Sequence, residues 1–112
     1  MKLQVSVSTI LLTGLVTSTV QANLIQYGGF EQPVVLDDPF GVVNGWITVL
    51  GGDSIPGWTV GGQAIDLHDT SHTNAHSGQQ SLDVTGYDLP GSIEQTVSTT
   101  VGQEYLLSFW AA

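Results

Sequence analysis

The chain has no cysteine, and against ten carboxylates in 112 residues it has a single basic residue, Lys2. Without cysteine, an exported domain this small has no disulfide staple. Either it is marginal alone, or a bound ion or further residues complete it. The shortage of positive charge decides more. Phosphate binding draws its affinity from Lys and Arg, so nucleic acid is excluded as a partner. An anionic membrane surface is excluded on the same ground. Acidic polysaccharides would need bridging cations, whereas neutral sugars carry no such penalty. Part of the acidity serves plain solubility.

Long apolar runs are also missing. Val5 to Val16 is mostly apolar but is broken by Ser and Thr and is too short to span a bilayer well. Met1-Lys2 before it and Val20-Gln21-Ala22 after it complete the layout of a secretory signal peptide, charge then apolar run then small residues. The expected domains are therefore a leader over 1–22 and a mature segment over 23–112. All ten carboxylates then lie in a segment with no Lys and no Arg. The expected location is outside the cell or at its surface.

Catalytic equipment is scarce. The mature segment offers neither Cys nor Lys as a nucleophile, and it has no Gly-x-Ser-x-Gly elbow. Asp66 and Asp83 have the chemistry of a glycosidase pair, but strand carboxylates on an exposed face are ordinary in so acidic a chain. A non-enzymatic protein is the expectation.

What is present is alternation. From Gln80 the chain runs SLDVT, then SIEQTV, then YLLSFW, with Gly, Pro, Asp or Thr clusters between. That is the period of half-buried strands joined by turns. Leu82 and Val84 face one way in the first run, and Ile93 and Val97 do so in the second. Tyr105, Leu107 and Phe109 share one side of the third, opposite Leu106, Ser108 and Trp110. Upstream, Asn23 to Tyr27, Trp46 to Leu50, Trp58 to Val60 and Ala64 to Leu67 are further strand candidates, while His68 to Ser77 reads as a polar loop. No long 3.6-residue period interrupts this. The expected fold is all-β, a sandwich or jelly roll, with the greasy face of the closing strands against strands around Trp58 and Ile65.

The order of motifs carries a resemblance. Asn-Leu-Ile-x-x-Gly-Gly-Phe-Glu-Gln-Pro at 23–33 comes first, and Ile-Pro-Gly-Trp at 55–58 follows. Then come Ile65-Asp66-Leu67, His76-Ser77-Gly78, Ser81 to Gly86, Pro-Gly-Ser-Ile-Glu-Gln-Thr at 90–96, and Gly102-x-x-Tyr105 with Leu107-Ser108-Phe109. Together these resemble the exported choice-of-anchor C family of bacterial surface proteins. That family is similar to the plant cell-wall proteins of the domain-of-unknown-function 642 group. The chain is more distantly similar to jelly-roll carbohydrate-binding modules of xylanases and cellulases. The resemblance implies a galactose-binding-like jelly roll, incomplete at the C-terminus. It also implies a secreted, non-catalytic protein associated with cell-wall or extracellular polysaccharide. In the similar modules a Glu matching Glu31 often helps hold a structural calcium ion. Asp37, Asp38, Asp69 and Asp88 are carboxylates in nearby loops. The alternative for Glu31 is a solvated carboxylate at a strand end.

Large rings flanked by hydrogen-bonding groups suit sugar recognition, because sugars present apolar C–H faces. Trp58, after Pro56-Gly57, is assigned to the core. Trp46 and Tyr87 each follow a glycine in or beside a loop, which leaves exposure and core packing both open. Trp110 falls opposite the greasy face. With the three closing strands as sheet neighbours it shares an open face with Asp83 and Glu94. The alternative is that residues beyond Ala112 cover it. His68, His72 and His76 recur every fourth residue, but in loop composition that spacing has little force as a metal site, and solvated histidines are expected. The leading expectation is a glycan-binding module. The alternatives are a structural surface or matrix protein that mediates protein contacts, and an appendage of a larger secreted enzyme.

Overall fold

The computed structural model describes residues 4–9, 23–35, 45–86 and 89–111. Over these the protein is all-β and antiparallel. Eight strands form in chain order: β1 (Gln4–Thr9), β2 (Trp46–Leu50), β3 (Ser54–Ile55), β4 (Trp58–Gly62), β5 (Ala64–Asp69), β6 (Gln80–Asp83), β7 (Gly91–Glu94) and β8 (Tyr105–Trp110). They make two three-stranded sheets, β2-β5-β6 and β3-β4-β7, and a two-stranded ribbon, β1-β8.

The core lies between the two three-stranded sheets, where alternation sends β-branched and aromatic side chains inward. Ile65 and Leu67 of β5, Leu82 of β6, and Trp58 and Val60 of β4 are buried there. Val84, Ile93, Val97 and Tyr105 pack against this cluster, as the alternation of the closing runs requires. The greasy face stops at Tyr105. Leu107 and Phe109, expected inside, are exposed, because among the described residues no second sheet reaches them.

The strand β1 forms within the segment read as a leader. Its Val-Ser-Val-Ser-Thr alternation also suits a strand. It pairs with β8 over six residues, from Gln4 opposite Trp110 to Thr9 opposite Tyr105.

The segment 23–35 has almost no ladder of its own, so side chains from the sheets satisfy its backbone. Gln80 is buried at the head of β6. Its Oε1 accepts from the Val35 amide at 2.6 Å, and its Nε2 donates to the carbonyls of Phe30 and Pro33 at 2.7 and 3.0 Å. Gln95 accepts from the Gln26 amide at 2.8 Å and donates to the Gln26 and Gly57 carbonyls. The Trp58 indole donates to the Tyr27 carbonyl at 3.2 Å. The motifs at 23–33, 55–58 and 90–96 are thus parts of one hydrogen-bonded assembly.

Candidate functional site

The outer face of the sheet β2-β5-β6 is built in rows by its register. Trp46 pairs with His68, which pairs with Ser81; Thr48 pairs with Asp66, which pairs with Asp83. Since Ile65 and Leu67 point inward, Asp66 and His68 on the same strand must point out. The result is a cleft of about 320 Å³ lined by Trp46, His68, Thr48, Asp66 and Asp83 of these rows and by Thr85, with His72 leaning in from the loop after β5.

Three rings gather at one end. The His72 ring lies 4.9 Å from the Trp46 indole and 4.4 Å, edge-on, from the His68 ring. The loop is shaped by Asp69, whose Oδ1 accepts from the amide and hydroxyl of Ser71 at 2.8 and 2.6 Å and from the His72 amide at 3.3 Å. The Asp69 amide in turn donates to the Gly45 carbonyl at 2.8 Å, which ties the loop to the start of β2. Gly45 has φ +69°, and a Cβ there would lie 2.6 Å from Ser71 Oγ and 2.9 Å from His72 Cβ. Gly45→Ala should therefore cost about 1–3 kcal/mol and displace His72 from Trp46. Denaturant midpoints and the His72 ring-proton shifts check both effects.

The other end is acidic. Asp66 and Asp83 sit directly opposite each other, an arrangement that destabilises a sheet unless neighbours or a ligand compensate. Thr48 Oγ1 donates to Asp66 Oδ1 at 2.5 Å, and Thr85 donates to Asp83 Oδ1 through its amide at 2.8 Å and its hydroxyl at 2.6 Å. Burial pushes the Asp83 carboxyl up, but the Thr85 hydroxyl and amide outweigh it and hold the group below 3.8. At the ring end, burial and then the neighbouring His72 pull His68 below 6.5, against the opposing pull of Asp83 and Asp66.

This shift has a consequence for stability. Between its folded pKa and 6.5, His68 binds more protons in the unfolded chain than in the folded one, so stability rises with pH there. Stability should fall as pH drops through 6.5, and His68→Asn should flatten that slope, as urea midpoints on either side of this value will show. The Asp83 contribution has the same sign but lies lower, being lost only as pH falls below 3.8.

Of the residues singled out in the sequence, Trp46 and Asp83 meet in this cleft. Glu94 does not. It pairs with Thr59 on the other sheet and lines a separate hollow of about 390 Å³ with Ser54, Thr59 and Thr96. Trp110 lies on the ribbon, its indole stacked on His76 at 4.1 Å and 14°. The closing strands thus fall in three different sheets, and the shared face of Asp83, Glu94 and Trp110 does not form. Tyr87, Asp37, Asp38 and Asp88 lie outside the described residues.

Glu31 acts on backbone. Its Oε1 accepts from the amides of Gln79 and Gln80 at 3.0 and 3.2 Å, and Gly78, at φ +74°, leaves room that a Cβ would take from that carboxylate. Among the described residues no group of three or more His, Asp or Glu gathers to hold a metal.

His68 is the residue that sequence reading misplaced. It belongs to β5 and is buried, with its Nδ1 hydrogen-bonded to the Thr73 hydroxyl at 3.3 Å. Carrying the alternation of Ile65 and Leu67 one residue further puts it beside Asp66.

A family model described as "Protein of unknown function (DUF642)" matches residues 23–112. The chain belongs to the DUF642 family. The match starts at Asn23, directly after the segment read as a leader, so the DUF642 region holds the whole cleft and leaves out β1. No curated protein and no solved structure matches this DUF642 chain.

Proposed function

We propose that this DUF642 protein is a secreted, non-catalytic module that binds polysaccharide through the outer face of β2, β5 and β6. The observation that carries the reading is the row structure of that face. It sets the half-exposed Trp46 indole beside two carboxylates and two imidazoles in one cleft. An indole packs against the C–H face of a sugar, while carboxylates and imidazoles bond its hydroxyls. The absence of Lys and Arg from 23–112 favours neutral sugars, since an acidic glycan would meet only like charge. Residues 1–22 serve as the export leader, whose removal would take β1 from β8. The finer fold reading is a galactose-binding-like jelly roll of the choice-of-anchor C kind, which the antiparallel two-sheet core supports.

Binding is preferred to hydrolysis for a specific reason. A glycosidase of this type needs one carboxyl held protonated as general acid. Asp83 is shifted the other way, and both Asp83 and Asp66 already accept from threonine hydroxyls.

The test is affinity for a panel of soluble neutral polysaccharides. Trp46→Ala should weaken binding by tenfold or more, roughly 1.4 kcal/mol or above. Asp83→Asn should weaken it by less, and Glu94→Gln on the opposite sheet should leave it unchanged. Loss of affinity with Glu94→Gln but not with Trp46→Ala would place the site elsewhere. The second reading, a surface protein making protein contacts, rests on β8, whose Leu106, Leu107, Phe109 and Trp110 are all exposed. That reading expects no glycan binding and self-association that Phe109→Ser abolishes.

A further inference from the structure

The loop between β5 and β6 carries a ring at each end, and each ring meets a different indole. His72 lies 4.9 Å from Trp46, and His76 is stacked on Trp110 at 4.1 Å. We propose that the cleft continues across this loop to Trp110, so that the ligand is an extended neutral polysaccharide chain held on two indole platforms, not a mono- or disaccharide. The inference rests on the glycan reading of the cleft.

Several observations argue for one continuous surface. His76 lies four positions after His72, so their Cα atoms are at most about 14 Å apart. Asp69 pins the start of the loop through Ser71 and His72, and at its end Glu31 accepts from the amides of Gln79 and Gln80. The loop that carries both imidazoles is therefore held at both ends. Although β8 is exposed along its length, both its ends are anchored. Tyr105 packs on the core and its hydroxyl accepts from the Thr100 amide at 2.7 Å, while Trp110 rests on His76. Trp110 remains 59 % exposed in that stack, so an indole surface stays open to a ligand. Along this loop Ser71, Thr73, Asn74 and Ser77 are uncharged side chains of the kind that bond hydroxyls. A single sugar ring covers one indole. Only a chain reaches both.

This predicts a dependence on ligand length that a single-platform cleft would lack, because a second linked contact adds to affinity without a new binding event. The probes are a soluble neutral β-glucan, a xylan and a galactan, each with its oligosaccharides of increasing length, titrated into the purified protein. Affinity of the wild type should rise with chain length until both indoles are covered. Trp110→Ala should remove that rise, weakening the polymer by about tenfold while leaving the shortest bound oligosaccharide unchanged. Trp46→Ala should weaken every length. His76→Ala, which unseats the indole without removing it, should reproduce the Trp110→Ala result in part, and Trp110→Phe should restore much of the length dependence. If Trp110→Ala binds polymer as the wild type does while Trp46→Ala fails, the two-platform inference is wrong and the cleft reading stands. If no polysaccharide binds the wild type, both fall.

Discussion

Replacing Gln80 with alanine should destabilise the protein by about 3–5 kcal/mol, since each buried backbone group left without a partner costs about 1–3 kcal/mol. Three such groups depend on this one side chain: the Val35 amide and the carbonyls of Phe30 and Pro33. The segment they belong to has almost no ladder to fall back on, so water must enter or the segment must lift off the core, taking Phe30 and Val35 with it. Gln80→Glu separates the two halves of the argument. It keeps an acceptor for Val35 but turns the donor toward two carbonyls into a second acceptor, so it should be nearly as damaging as alanine. Chemical denaturation measures both. A loss below about 1 kcal/mol for Gln80→Ala would mean that the 23–35 segment is held by something other than this clamp.

Trp58→Ala should cost a similar amount, about 3–5 kcal/mol as for other large core truncations. Its indole is 6 % exposed and lies 5.6 Å from the Phe30 ring, and its Nε1 donates to the Tyr27 carbonyl. Truncation opens a cavity between the sheets and leaves the Tyr27 carbonyl with the Phe30 amide as its remaining donor. Trp58→Phe keeps most of the volume and loses the hydrogen bond, so it should cost only about 1 kcal/mol. With total stabilities of about 5–15 kcal/mol for ordinary domains, the alanine variant should be largely unfolded on mild heating. Circular dichroism melts of the pair will show whether packing or the hydrogen bond dominates. Equal losses would contradict the packing account.

Side-chain direction was the legible part of this fold, and strand partnership was not. Alternation correctly sent Leu82, Val84, Ile93, Val97 and Tyr105 toward the core, and Trp58, assigned there from its place after Pro56-Gly57, is part of it. It says which side of a strand a residue takes, but not which strand lies beside it or what covers it. Hence the closing runs read as neighbours although β6, β7 and β8 belong to different sheets, and Leu107 and Phe109 read as buried although they are exposed. His68 read as loop because polar residues follow it, yet register with Trp46 and Ser81 holds it in β5. The hold of Glu31 on the Gln79 and Gln80 amides was not legible, because those partners lie 48 and 49 residues away and local sequence does not show them. The candidate site was half visible. Trp46, Asp66 and Asp83 each drew attention, but only the pairing of β2, β5 and β6 puts them on one face.

Mapping backbone amide shifts while titrating a soluble neutral oligosaccharide is the most direct test of glycan binding at that face. The largest shifts should fall on Trp46, Thr48, Asp66, His68 and Asp83, extend into the His72 loop, and vanish in Trp46→Ala. Shifts concentrated on Thr59 and Glu94, or none at saturating sugar, would contradict the assignment of the site.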